Sequence, residues 1–156
     1  MTRKFLCIMT LSAIAAAGSG CGDTVSEKNV EEVTINLPQT RAILQDKPGE
    51  ALAIDTRTPE EFAAAHIPGA RNLDLSAVSA VPDSIDPELA AYNTLVVYGA
   101  DPGSGSARAM TKRLIRAGHK GVKYFGGGFA EWLAAGMRTE GSGGGPRSRP
   151  TAPVSR

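Results

Sequence analysis

Residues able to do chemistry are sparse in this chain, and they gather in two short stretches. One is Asp55-Thr56-Arg57 with Glu61 and His66 behind it; the other runs from Gly99 to Ser106. The second stretch follows Leu95-Val-Val-Tyr98, a β-branched and aromatic run that reads as a buried strand. The run breaks into Gly99, Ala100, Asp101, Pro102, Gly103, Ser104 and Gly105, where glycine and proline turn the backbone and let it approach a ligand closely. Ser106 reads as the N-cap of a helix with Ala107, Met110 and Leu114 on one face and Arg108, Lys112 and Arg116 outside. A strand, a tight loop and a helix start in succession aim backbone N–H groups at one point. That geometry suits a small oxyanion or a partner's acidic side chain. The loop has the form of a holder, but no residue in it can act on what it holds.

The other candidates each have a plain structural reading. Asp55 and Arg57 end an apolar strand and could line a ligand mouth. Their types favour loop support instead, through hydrogen bonds and an ion pair, with Glu61 as a further partner. His66, at a helix end before Ile-Pro-Gly, reads as a structural hydrogen-bonding residue rather than a general base. His119, just past Gly118, reads as a surface residue. Ser104 and Ser106 would be nucleophiles only with a base in reach, and the two histidines form no recognisable triad arrangement. Gly126 to Gly128 is a turn and not a phosphate loop, because no lysine follows at the required spacing. No clustered ligands support a metal site, and no motif calls for a cofactor.

Counting cysteines narrows the chemistry further. The chain has two, Cys7 and Cys21. Arg3 and Lys4 form a positive start, Phe5 to Gly18 is an apolar run too short to span a bilayer, and Gly18-Ser19-Gly20 are small. That arrangement resembles a bacterial lipoprotein signal, in which the cysteine after the cut receives lipid. The bulky residue usual three positions before it is replaced by Gly18. The expectation is therefore an export signal over 1–20 and a lipid anchor on Cys21, which places the protein at the cell envelope; the alternative is an ordinary secretory cut nearby. In either case Cys7 is discarded, and no residue from 22 to 156 carries a thiol. Thiol catalysis and disulfides are nearly excluded by number alone.

The whole chain of 156 residues has a formal net charge of +1, which becomes −1 without Arg3 and Lys4. That balance argues against nucleic acid as a partner. Residues 21–32 are polar and read as a tether. Residues 139–156, rich in glycine, proline and arginine, read as a disordered tail. Between them short apolar runs alternate with helical patterns. Strands are expected at Val33–Ile35, Ala51–Asp55, Ala70–Asn72, Leu95–Tyr98 and Val122–Phe125. Helices are expected from Pro38, from Pro59 with Thr58 as N-cap and Glu61 closing a capping box, within 74–92, from Ser106 to Gly118 and from Phe129 to Ala135. Trp132 falls on the core face of the last one and needs a partner for its indole N–H. The pattern implies an α/β fold with a mostly parallel sheet covered on both faces, its ligands beyond the carboxyl ends of the strands.

Taken together, Asp55-Thr-Arg57, Glu61-Phe62, His66-Ile-Pro-Gly-Ala70 and Asn72 resemble the first signature of the rhodanese-like domain. Gly127-Gly128-Phe129 with Trp132 and Gly136 resembles its closing signature. The resemblance covers residues 33–138 and implies a five-stranded, mostly parallel sheet with helices on both faces. It also implies a cysteine after the strand matching Leu95–Tyr98, which takes up sulfane sulfur as a persulfide. Here that position falls on Gly99, the loop is about one residue longer than the usual form, and Gly105 stands where an arginine is usual. The expectation is a catalytically silent domain that binds an unknown protein partner or a small oxyanion. The alternatives are a sulfurtransferase borrowing a partner's thiol and a purely structural envelope protein.

Overall fold

The computed structural model describes residues 25–46, 49–79 and 81–143. The expected export signal, Cys21 with its lipid, the start of the tether and the tail beyond Gly143 lie outside the described residues.

Five strands form one sheet: β1 (Thr34–Ile35), β2 (Ala51–Asp55), β3 (Arg71–Asn72), β4 (Thr94–Tyr98) and β5 (Val122–Phe125). Their spatial order is β1-β5-β4-β2-β3, and every pairing is parallel. Parallel neighbours need crossover connections, and helices supply them. Side chains alternate across the pleat, so each strand feeds two cores. Leu52, Ile54, Leu95, Val97, Val122 and Tyr124 enter one core, with Met110 and Leu114 of α5 (Gly105–Arg116). Ala53, Val96, Tyr98 and Phe125 enter the other, with Phe129 and Trp132 of α6 (Gly128–Ala134) and Leu37, Ile43 and Leu44 of α2 (Leu37–Asp46). The fold is thus the expected three-layered α/β arrangement.

The remaining helices are short. α3 (Pro59–Ala64) starts as its sequence dictates: the Thr58 hydroxyl accepts from the Glu61 N–H, and the Glu61 carboxylate accepts from the Thr58 N–H. Residues 74–92 hold one 3-10 turn at Leu75–Ala77 and α4 (Pro87–Ala90), capped by Asp86.

Both ends of the domain reach further than the sequence suggests. Residues 27–32, expected as tether, form α1 (Glu27–Glu32). Its Val30 is fully buried in the α5-side core, and Glu27 binds both Arg108 and Lys112 of α5. A single apolar residue in a polar run docks the helix, a signal too small for composition to reveal. Similarly, residues 139–143, expected as tail, strap the end of α3. Glu140 and His66 exchange backbone hydrogen bonds (2.8 and 2.9 Å). The N–H groups of Ser142 and Gly143 donate to the carbonyls of Ala63 and Ala64, which the helix end leaves open. Among the described residues no helix is long and apolar enough to cross a membrane.

Candidate functional site

The site sits where β2 and β4 end side by side, with Asp55 in register with Tyr98. One loop leaves each strand there. The Thr56 N–H and hydroxyl both donate to the Tyr98 carbonyl, each at 3.1 Å, tying the two loops together at their roots.

Asp55 and Arg57 form the ion pair that their spacing suggests. Arg57 Nε and Nη2 grip the Asp55 carboxylate, the shortest contact being 2.6 Å. The Asp55 side chain is 0% exposed and that of Arg57 7%. Arg57 Nη2 also donates to the Ala65 carbonyl, and the guanidinium lies over the Phe129 ring at 3.9 Å. Burial pulls the Arg57 pKa down, but the Asp55 carboxylate outweighs it and holds the group above its ordinary value. Beside the pair, burial and the Asp55 charge push the Tyr98 phenol pKa upward. The Tyr98 hydroxyl accepts from the Ile67 N–H at 3.2 Å. These bonds tie the ends of β2 and β4 to the segment from Ala65 to Ile67. Glu61, expected as a partner of Arg57, is instead committed to the cap of α3.

His66, just past the end of α3, is held by that helix. Its Nδ1 lies 2.7 Å from the Phe62 carbonyl, which fixes that nitrogen as the donor, and its ring stacks on Phe62 with centroids 3.8 Å apart. His119, expected at the surface, is 8% exposed. Its Nε2 accepts from the Asp86 N–H at 3.2 Å, and burial lowers its pKa against the opposing charge of Asp86. The turn at Gly118 (φ +91°) folds the ring back under the 83–92 segment, which a helix-end position does not reveal.

The loop from Gly99 to Ser106 is held from the far side by α6. The Phe129 and Ala130 N–H groups donate to the carbonyls of Gly99 (2.8 Å) and Ala100 (2.9 Å). Gly128 makes this approach possible. Its φ is +62°, and a Cβ there would lie 2.9 Å from the Asp101 nitrogen and 3.0 Å from the Gly99 carbonyl oxygen. The glycine run is thus a docking surface for the loop backbone. α5 begins at Gly105 with Ser104, not Ser106, in the N-cap position, and the Ser104 side chain makes no capping bond. The hydroxyls of Ser104, Ser106 and Thr56 form a chain instead, at 3.1 and 3.0 Å. Gly99 is buried, and the place where its Cβ would stand is filled by the Oγ and Cβ of Ser104. Asp101 is the one ionisable side chain from Gly99 to Ser106, and it is exposed. Among the described residues no group of three or more His, Cys, Asp or Glu could hold a metal ion.

The parallel five-stranded sheet with helices on both faces, and the loop at its carboxyl edge, define a class. Residues 39–135 match the family model described as the rhodanese-like domain, and the chain belongs to that family. It is 33% identical over 94 residues to thiosulfate sulfurtransferase 16 of Arabidopsis thaliana, covering 56% of this chain and 78% of that one. It is 36% identical over 98 residues to the thiosulfate sulfurtransferase GlpE of Pseudomonas putida, covering 63% and 84%. The solution structure of a rhodanese-like domain from Anabaena sp. shares the fold, with a TM-score of 0.55 at 24% identity over 80% of this chain and 88% of that one.

Thr56, Phe129 and Glu140 were not legible as site-supporting residues. Their partners lie about 30 or more residues away in the chain, so no local pattern carries the signal.

Proposed function

We propose that this protein is a catalytically silent rhodanese-like domain that works as an interaction module through the rim of its 99–106 loop. One observation carries the reading: at the strand end where a sulfur-accepting thiol would stand there is Gly99, and no cysteine occurs from 22 to 156. Covalent transfer is split into two easier steps only through an atom that bonds to the transferred group, and glycine has none. The relatives are named for thiosulfate chemistry; this chain keeps their fold without a thiol at the loop.

A protein partner fits the loop better than a small oxyanion. Asp101 adds negative charge at the rim, Arg57 is spent on Asp55 and Ala65, and Ser104 fills the head of the loop. The melting temperature is therefore expected to stay constant as thiosulfate or sulfate is raised against chloride at matched ionic strength. A saturable, anion-specific rise would show a ligand binding the native state and would return the loop to an oxyanion-binding role.

The proposed setting is the cell envelope, with lipid on Cys21 as the anchor. The apolar run and small residues before Cys21 support it. Wild type should partition into detergent and Cys21→Ser into the aqueous phase. A soluble wild type of unmodified mass contradicts the anchor.

A further inference from the structure

We propose that Ser104 is a built-in occupant of the loop, closing it to any side chain on residue 99. The proposal rests on the reading of the loop as silent and adds a second cause of that silence. Glycine is usually retained where the backbone turns left-handed, but Gly99 is not among the glycines of positive φ. Its backbone would accept any residue. What excludes a side chain is space: a Cβ at 99 would overlap the Oγ and Cβ of Ser104 and lie 3.2 Å from the Cβ of Ala107. Ala107 is fully buried in the α5-side core and cannot retreat. The Ser104 Cβ moves only with the backbone at the start of α5, so the overlap is not cured by rotating a side chain.

The hydroxyl chain holds Ser104 in this place. The Thr56 hydroxyl donates to the Tyr98 carbonyl, so its oxygen must accept from Ser106. Ser106, its one proton used, accepts from Ser104 in turn. Every hydroxyl proton then has a partner, and the Ser104 side chain is steered into the loop instead of capping α5. Gly99 and Ser104 are thus a matched pair, and restoring a side chain at 99 requires removing the one at 104.

A double-mutant cycle in the full chain tests this. Glycine is well tolerated at an N-cap and Ser104 makes no capping bond, so Ser104→Gly should move the melting temperature by less than about 2 °C. Gly99→Ala should lower it by more than about 5 °C, or prevent folding. The double variant should recover to within about 2 °C of Ser104→Gly. A double variant as unstable as Gly99→Ala, or a Gly99→Ala as stable as wild type, overturns the proposal. The cycle reads packing alone. Turnover by the wild-type protein would overturn the silent reading and leave the cycle's outcome untouched, so the two failures are distinguishable.

Discussion

Asp55 and Arg57 set the stability of the site, because each is buried and each is answered chiefly by the other. Breaking such a pair by removing one partner leaves an uncompensated charge in a low-dielectric setting, at about 3–5 kcal/mol. Asp55→Asn should therefore lower the unfolding free energy by that amount in urea titrations, and a loss below about 1 kcal/mol would mean that water reaches Arg57. His119 gives the pH dependence. Its folded pKa lies below the ordinary value of about 6.5, so the unfolded chain takes up a proton first as pH falls. Its contribution is complete above about pH 6.5 and is lost as pH drops from there through the lower folded value. Comparing wild type with His119→Gln across about pH 5–8 should show a smaller acid loss in the variant; parallel profiles would contradict it. At Gly99 the proposed silence has a second cause in volume, since Ser104 fills the place of a side chain. Gly99→Cys by itself should gain no persulfide on incubation with thiosulfate, read by intact mass in a Cys21→Ser background. Clear sulfur uptake at residue 99 would contradict the packing described around Ser104.

The helices differ in how openly the sequence declares them. The start of α3 was legible to the residue, because Thr58, Pro59 and Glu61 form a local start signal that needs no tertiary partner. Thr58→Ala should cost about 1 kcal/mol through that cap. The strands were legible for a similar reason: central parallel strands are apolar on both faces and bounded by glycine and proline. α1 was not, since its apolar content is one residue. Val30→Ala should nonetheless cost about 2 kcal/mol, because the lost methyls come from a fully buried side chain. The start of α5 was displaced by two residues, as Ser104 and Ser106 are equally good caps in isolation and tertiary packing decides between them. α6 was placed correctly, but its function was hidden: its first N–H groups hold the loop carbonyls. Trp132, 2% exposed and donating its indole N–H to the Arg138 carbonyl at 2.9 Å, anchors that helix. Trp132→Ala should cost about 3–5 kcal/mol, and a near-zero change would mean that α6 is not the loop's support.

At the scale of the molecule, the chain has the rhodanese-like fold, and on the proposed reading Gly99 stands where that fold would carry its thiol. The buried Asp55–Arg57 pair, the Gly128 approach and the α6 contacts all serve to fix the 99–106 loop. On the proposed reading the loop offers its exposed rim to a partner, and loops on rigid scaffolds are where binding residues gather. We propose, above all, that this loop transfers no sulfur. The most direct test is sulfur transfer from thiosulfate to cyanide by the full-length protein without added thiol, measured beside Cys21→Ser, which removes the thiol nearest the domain. Thiocyanate should form at the uncatalysed rate with both proteins. Production above that background, retained in Cys21→Ser, would overturn the silent reading, because transfer would then proceed through the domain itself.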